Sequence, residues 1–258
     1  MRRRPFLIAM CTALAVAVAA TAAWAGPTVS APDGNTQSID SQIRPKKLSK
    51  TKFTPGSLEV TTLTTSTTDP SGVPSPAIHA VIDFDRNARL YTKGLPTCDS
   101  AKLQSQSTEV AEQVCGKAKI GTGHAIAYLK AGKVYEVPQT VTAFNGVPKG
   151  GKPVIILHAY GTTPLQASLV LEGPVTNYNK EGYGPRLDLN VPLIAGGTGA
   201  LKEFNVKIDK KWSFKGEKRS FISAKCTGSK KLKARGTFTY RDGEALTAYS
   251  KQSCKQSK

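Results

Sequence analysis

Ile78-His79-Ala80-Val81-Ile82-Asp83-Phe84-Asp85 is the stretch that decides the fold. Successive strand residues point to opposite faces, so Ile78, Ala80, Ile82 and Phe84 share one face and His79, Asp83 and Asp85 the other. The alternation predicts a half-buried strand with its apolar face on a core. Val154-Ile155-Ile156-Leu157 is apolar on both faces and predicts a central strand. Around these two, short runs rich in β-branched and aromatic residues recur at 50–53, 58–65, 89–92, 119–129, 134–137, 140–144, 165–171, 186–191, 202–208, 220–226, 233–240 and 245–250. Asn145-Gly146, the Lys149–Pro153 cluster and Asp242-Gly243 read as turns between them, the last as a two-residue hairpin. Many short strands so punctuated predict an all-β fold, an antiparallel β-sandwich of jelly-roll-like character.

One segment departs from the pattern. Asp99 or Ser100 can cap a helix start and Gly116 can end one. A single helix from Cys98 to Cys115 would hold the two cysteines ~25 Å apart, whereas a disulfide needs Cα atoms within ~7 Å. If they pair, the insert must fold back as two short helices, near Asp99–Gln104 and Thr108–Gly116, with Ser105-Gln106-Ser107 turning between them. Leu103, Val110 and Val114 would seat it on a sheet edge or sandwich mouth.

The chain opens with Arg2, Arg3 and Arg4, an apolar run from Phe6 to Ala20, and Ala23-Trp24-Ala25. That order reads as a secretory signal peptide over residues 1–25, by the general or the twin-arginine route. Export permits disulfides. Cys11 falls in the leader, and Cys98, Cys115, Cys226 and Cys254 remain, with three pairings open. Chain proximity favours Cys98–Cys115 and Cys226–Cys254, and the Asp242-Gly243 hairpin would bring Cys254 towards the Thr227–Lys230 turn that follows Cys226. The spacings lack the close Cys or His pairs of a zinc site. No later run reaches the ~18 apolar residues of a membrane span. Residues 26–45 are polar without an apolar period and read as a disordered leader, with one β-sandwich domain from 46 to 258.

The 36 Lys and Arg against 18 Asp and Glu give a net charge of +18. Between Leu201 and Lys258 there are 16 basic and five acidic residues, or +11. Such a field attracts anions. The expected partners are an anionic cell-wall polymer, acidic polysaccharide, lipid head groups or extracellular DNA; specific nucleic-acid binding is not expected, and the chain is expected to be a monomer. Lys210, Lys211, Trp212, Lys215, Lys218 and Arg219 interleave bases with an aromatic ring and form the candidate anion-binding site. The alternative reading is a cationic edge with core aromatics beneath it.

Gly94-Leu95-Pro96-Thr97-Cys98, then Leu103, Cys115, Ala118 and Gly121-Thr122-Gly123-His124-Ala125, resembles a segment of a family of exported actinobacterial β-sandwich proteins. The likeness spans about Ile78 to Leu129, and the Cys226–Cys254 segment is similar to the end of those proteins. It implies a secreted, disulfide-bonded sandwich and carries over no catalytic residue.

No motif supplies chemistry. Asp83-x-Asp85-x-Asn87 opens like a calcium loop, but Ala88 stands where the glycine belongs and Gly94 where the bidentate Glu belongs. The same two carboxylates would serve a sandwich-fold glycosidase only if ~5–5.5 Å apart. His79, His124 and His158 have no neighbours at ligand spacing, and no Gly-x-Ser-x-Gly elbow is present. Ala195–Ala200 is a glycine-rich loop lacking the Gly-Lys-Ser/Thr of a phosphate cradle. No catalytic residue, metal or cofactor is expected. The expectation is an exported, non-catalytic binding or structural protein of the cell envelope that favours anionic ligands. The alternatives are a polysaccharide or ester hydrolase, betrayed by a polar cleft, and a lipid carrier, betrayed by an apolar cavity between the sheets.

Overall fold

The computed structural model describes residues 26–257, so the expected signal peptide lies outside the described residues. Within them the chain is all-β with one helical insert, and its strands pair antiparallel except Lys47–Ser49 with Lys255–Ser257, which run parallel. The first half contributes β1 (Val29–Ser30), β2 (Asn35–Arg44), β3 (Lys47–Ser49), β4 (Thr54–Ser66), β5 (Ala77–Asp85), β6 (Ala88–Leu90), α1 (Thr108–Cys115), β7 (Lys119–Ala131) and β8 (Lys133–Lys149). The second contributes β9 (Lys152–Gly161), β10 (Ala167–Asn177), β11 (Tyr183–Asn190), β12 (Gly199–Ile208), β13 (Lys211–Phe214), β14 (Glu217–Ser220), β15 (Ile222–Ala224), β16 (Lys231–Tyr240), β17 (Ala245–Ser253) and β18 (Lys255–Ser257).

The two layers are one continuous sheet. The strand order is β1-β2-β4-β12-β7-β8-β9-β10-β11-β5-β16-β17. β7 to β11 are consecutive neighbours, so the layers join through a meander rather than through jelly-roll crossovers. β10 makes the corner: Ala167–Pro174 pairs with β9 and Val175–Asn177 with β11. Gly173 lies at this bend, with Leu187 and Leu189 packed over it so that a Cβ there would stand 2.3 Å from Leu187 Cδ1. The two free edges meet as β17 against β2. There side chains replace a ladder: Ser250 Oγ accepts from the Ser41 N–H, and the Gln252 amide accepts from the Ile43 N–H and donates to the Ile43 carbonyl.

That closure corrects the reading of residues 26–45 as a disordered leader. β2 is an ordered strand in which Gln37 and Ile39 are fully buried. Its sequence looks like a linker because inward positions Gln37 and Ser41 are polar. Tyr240 and Thr64 donate to Gln37 Oε1, and the Ser41 N–H is bonded by Ser250, so these polar groups are satisfied inside. Ordered strands are therefore present well before residue 46, from Val29 onward among the described residues.

Four smaller corrections follow from how the strands pair. Asn145-Gly146 is not a turn: both residues lie within β8, where the Cys98 N–H bonds the Asn145 carbonyl and the Val147 N–H bonds the Cys98 carbonyl. The expected strands at 134–137 and 140–144 are likewise one strand. β15 pairs with β4 and β6, not with the β16–β17 hairpin. Ile78, expected in the core, is 37% exposed because the β16 register shifts beside it, between Thr239 and Tyr240.

Both expected disulfides are present, Cys98–Cys115 and Cys226–Cys254, with Cα separations of 5.4 and 6.0 Å. The insert folds back as argued: a 3-10 turn at Ser100–Leu103 capped by Asp99, then α1 capped by Ser107. It lies on the outer face of β8 and β9, where Leu103 and Ala111 cover Phe144, Val154 and Ile156. Val110 and Val114 face solvent, because a helix of eight residues buries one stripe and Ala111 and Cys115 occupy it. The central strand is apolar on both faces for this reason: Val154 and Ile156 meet the insert, Ile155 and Leu157 the interior.

Candidate functional site: an apolar cavity between the sheets

The interior is not filled. A cavity of about 130 Å³ lies between the layers, lined by residues from β4 to β12, β15 and β16. Small inward residues open it: Ala80, Ala125 and Ala159 stand where large side chains would meet. Leu58, Phe84, Leu90, Ile208 and Ile222 form the floor, with β6 and β15 laid across that end. Pro76, Ala77, Val191 and Ile194 form the opposite rim and are half-buried. Leu169, Leu171, Leu187 and Phe204 point inward yet are only partly buried, since their surfaces face the void.

The glycine-rich run forms the cover at the rim, as a loop, in agreement with its reading. Ile194 packs on Gly199, where a Cβ would stand 2.7 Å from both Ile194 Cγ2 and Leu129 Cδ2. Ala195, Gly196 and Gly197 all have positive φ, which the two glycines adopt without strain. Arg241 reaches over this loop towards the Gly197 carbonyl.

Every lining side chain is uncharged, and two are polar: Thr62 and Gln139. They occupy one row across the sheet, Thr62 opposite Phe204, Phe204 opposite Ala125, and Ala125 opposite Gln139. Sequence reading passed over Gln139, although it has inward parity with Val137, Val141 and Ala143 on β8.

The carboxylates singled out from the sequence sit outside the cavity. Asp83 is 1% exposed and its carboxylate is shared by two guanidinium groups. Arg186 donates to it at 2.6 and 3.1 Å, and Arg235 at 3.0 and 2.8 Å. The three residues are direct cross-strand neighbours on β11, β5 and β16. Burial alone would raise the Asp83 pKa, but the hydrogen bonds and charges of both arginines outweigh it and hold the carboxyl below its usual range. Asp85 closes a turn instead, accepting from the Asn87 backbone and side chain and from the Lys233 N–H. With both carboxylates so engaged, neither is poised as an acid or a nucleophile.

The histidines are strand residues with ordinary partners. His79 Nε2 lies 2.8 Å from Asp188, and His124 Nε2 3.0 Å from Glu203. His158 is fully buried under the insert, 3.0 Å from the Gln106 carbonyl, and burial pushes its pKa down against the smaller upward pull of that hydrogen bond.

The basic hairpin β13–β14 brings Lys210, Lys211, Trp212, Lys215, Lys218 and Arg219 together. Lys211, Lys215 and Lys218 are exposed, and Lys210, Trp212 and Arg219 are half-buried. The aromatics are anchors: Trp212 donates to the Lys93 carbonyl and stacks on Tyr91, and Phe214 packs against Gly94. Arg219 lies over the Tyr91 ring and pairs with Glu217. The hairpin is thus a cationic ridge on an aromatic base, without a free ring to stack a ligand.

No helix among the described residues is long and apolar enough to cross a membrane. No protein-family model, curated protein or solved structure matches the chain, so its cavity and surfaces are the whole basis for assigning a function.

Proposed function

We propose that this chain is a non-catalytic binding protein for a small apolar molecule held between its sheets. The observation that supports it is the cavity of about 130 Å³, in which 27 of the 29 lining residues are apolar or glycine. An apolar void of roughly 150 Å³ stays dry and takes up benzene, so this one suits a ligand of that order. Two disulfides suit the exported, oxidising location expected from the leader. This reading takes the carrier alternative over the anionic one, because the void is built into the centre of the fold whereas the lysines are surface charges.

The test is direct. The purified protein is extracted with organic solvent for mass spectrometry, and the stripped protein is titrated with toluene by calorimetry. Saturable binding with a rise in melting temperature is expected. A protein that yields no co-purifying apolar compound and shows no heat or thermal shift with toluene overturns the proposal.

The exposed Lys211, Lys215 and Lys218 support a second, separable role, attraction of the protein to an anionic polymer or lipid surface.

A further inference from the structure

We infer that the cavity selects a neutral ligand carrying one hydrogen-bonding group, a hydroxyl or carbonyl, which Gln139 and Thr62 receive. This inference rests on the cavity being a binding site and adds its ligand class. Gln139 is 6% exposed and Thr62 5% exposed, and both line the void. Among the described residues neither side chain makes a hydrogen bond, and what sets them apart from other unpaired buried groups, Ser38, Thr142, His158 and Ser223, is that they line the cavity. Gln37, one strand over from β4, is bonded by Thr64 and Tyr240, and Gln252 holds both polar groups of Ile43. A buried amide without a partner is costly, so a polar group left open towards a cavity marks where a ligand or water completes it.

Position fixes the orientation. The Thr62–Phe204–Ala125–Gln139 row lies nearer the rim than the rows of Val60 and Val206 and of Leu58 and Ile208. The Gln139 Cγ leans over β9, 3.2 Å from where a Cβ on Gly161 would stand. The ligand's apolar body therefore rests on the floor of Leu58, Ile208 and Ile222, with its polar group at the height of Gln139. A carboxylate or ammonium is disfavoured there, because no lining side chain carries a compensating charge. The amide both donates and accepts, so hydroxyl and carbonyl ligands are equally served.

The test uses three ligands of one ring size, toluene, benzyl alcohol and benzoate, titrated calorimetrically into the full protein at neutral pH. Burying an uncompensated hydroxyl would weaken benzyl alcohol about tenfold or more relative to toluene. The expected result is that it binds within about threefold of toluene and that benzoate binds at least about a hundredfold more weakly. Gln139→Leu, of similar volume, should weaken benzyl alcohol about tenfold and leave toluene within about twofold. Thr62→Val should act in the same direction, and serves alone if Gln139→Leu fails to fold by circular dichroism. Toluene binding with a weak benzyl alcohol that neither variant changes, or with equally tight benzoate, overturns the inference and leaves the cavity reading standing. Absence of binding by all three overturns both.

Discussion

Filling the cavity should make the protein more stable and less able to bind. Ala159 lines the void from β9, beside Val141 and Leu169, and is 7% exposed. Ala159→Leu adds three carbons. At ~24 cal/mol per Å³, a 130 Å³ void corresponds to at most about 3 kcal/mol of packing that the native protein forgoes. Three buried carbons at ~0.8 kcal/mol each recover about 2.4 kcal/mol, from which ordering a leucine side chain removes about 0.5–1 kcal/mol. The net expectation is a gain of about 1.5 kcal/mol, or about 3–6 °C in Tm for a chain of this size. Thermal and urea unfolding followed by circular dichroism measure the gain; toluene calorimetry measures the loss of binding, expected to exceed tenfold. Ala125→Leu, from β7, is the control against a strained rotamer at one position. If both variants melt lower than the native protein and toluene binding is intact, the space is already filled and the reasoning fails.

Three further outcomes follow from the site geometry. His158 is buried with its pKa lowered, so as pH falls below about 6.5 the unfolded chain takes up a proton that the folded chain refuses. Stability should therefore decline from pH 6.5 downward until the lowered folded pKa is reached, by at most about 1.4 kcal/mol per pH unit. Urea midpoints at pH 7, 6 and 5 should show this slope and His158→Gln should flatten it; an unchanged slope refutes the assignment. Asp83 has the opposite linkage: its lowered pKa contributes stability above about pH 3.9 that is lost as pH falls through the folded value. Removing one member of a buried ion pair costs about 3–5 kcal/mol, and because Arg186 and Arg235 are partly solvated, Asp83→Ala should cost about 2–3 kcal/mol in urea unfolding; a loss under 1 kcal/mol would show the arginine ladder to be incidental. Exchanging Lys211, Lys215 and Lys218 for Ser, with Arg219 left over Tyr91, should change stability by less than about 0.5 kcal/mol. It should reduce binding to anionic vesicles, and native binding should fade as the screening length drops from ~10 Å at 0.1 M salt to ~3 Å at 1 M. A native protein that ignores such vesicles at low salt leaves the lysines as a solubility device.

Local patterning made much of the fold legible. The alternation at Ala80–Phe84, the double-faced Val154–Leu157 and the Asp242-Gly243 hairpin are written in neighbouring residues, because strand parity and turn chemistry are local. The folded-back insert was legible too, since a helix of known rise cannot let Cys98 reach Cys115. Where reading failed, the decisive partner was distant in sequence. Residues 35–44 lack an apolar period, yet they form a strand because Tyr240, Ser250 and Gln252, some 200 positions away, satisfy their buried polar groups. Asn145-Gly146 has the composition of a turn and is drawn into a strand by the Cys98 backbone.

The candidate site was less legible than the fold, for the same physical reason. A cavity is a property of side chains from eleven strands failing to meet, and no single strand records what faces it. Ala80, Ala125 and Ala159 are unremarkable where they stand in the chain; only the sheet's curvature sets them around one void. Gln139 carries an inward parity that the sequence shows, but its missing partner is visible only once every neighbour is placed. By itself the sequence determined that this chain is an antiparallel β protein with a pinned helical insert and a basic surface. Tertiary structure alone decided that the polar strand β2 is core and that the centre is open, because burial and emptiness arise from packing across the fold.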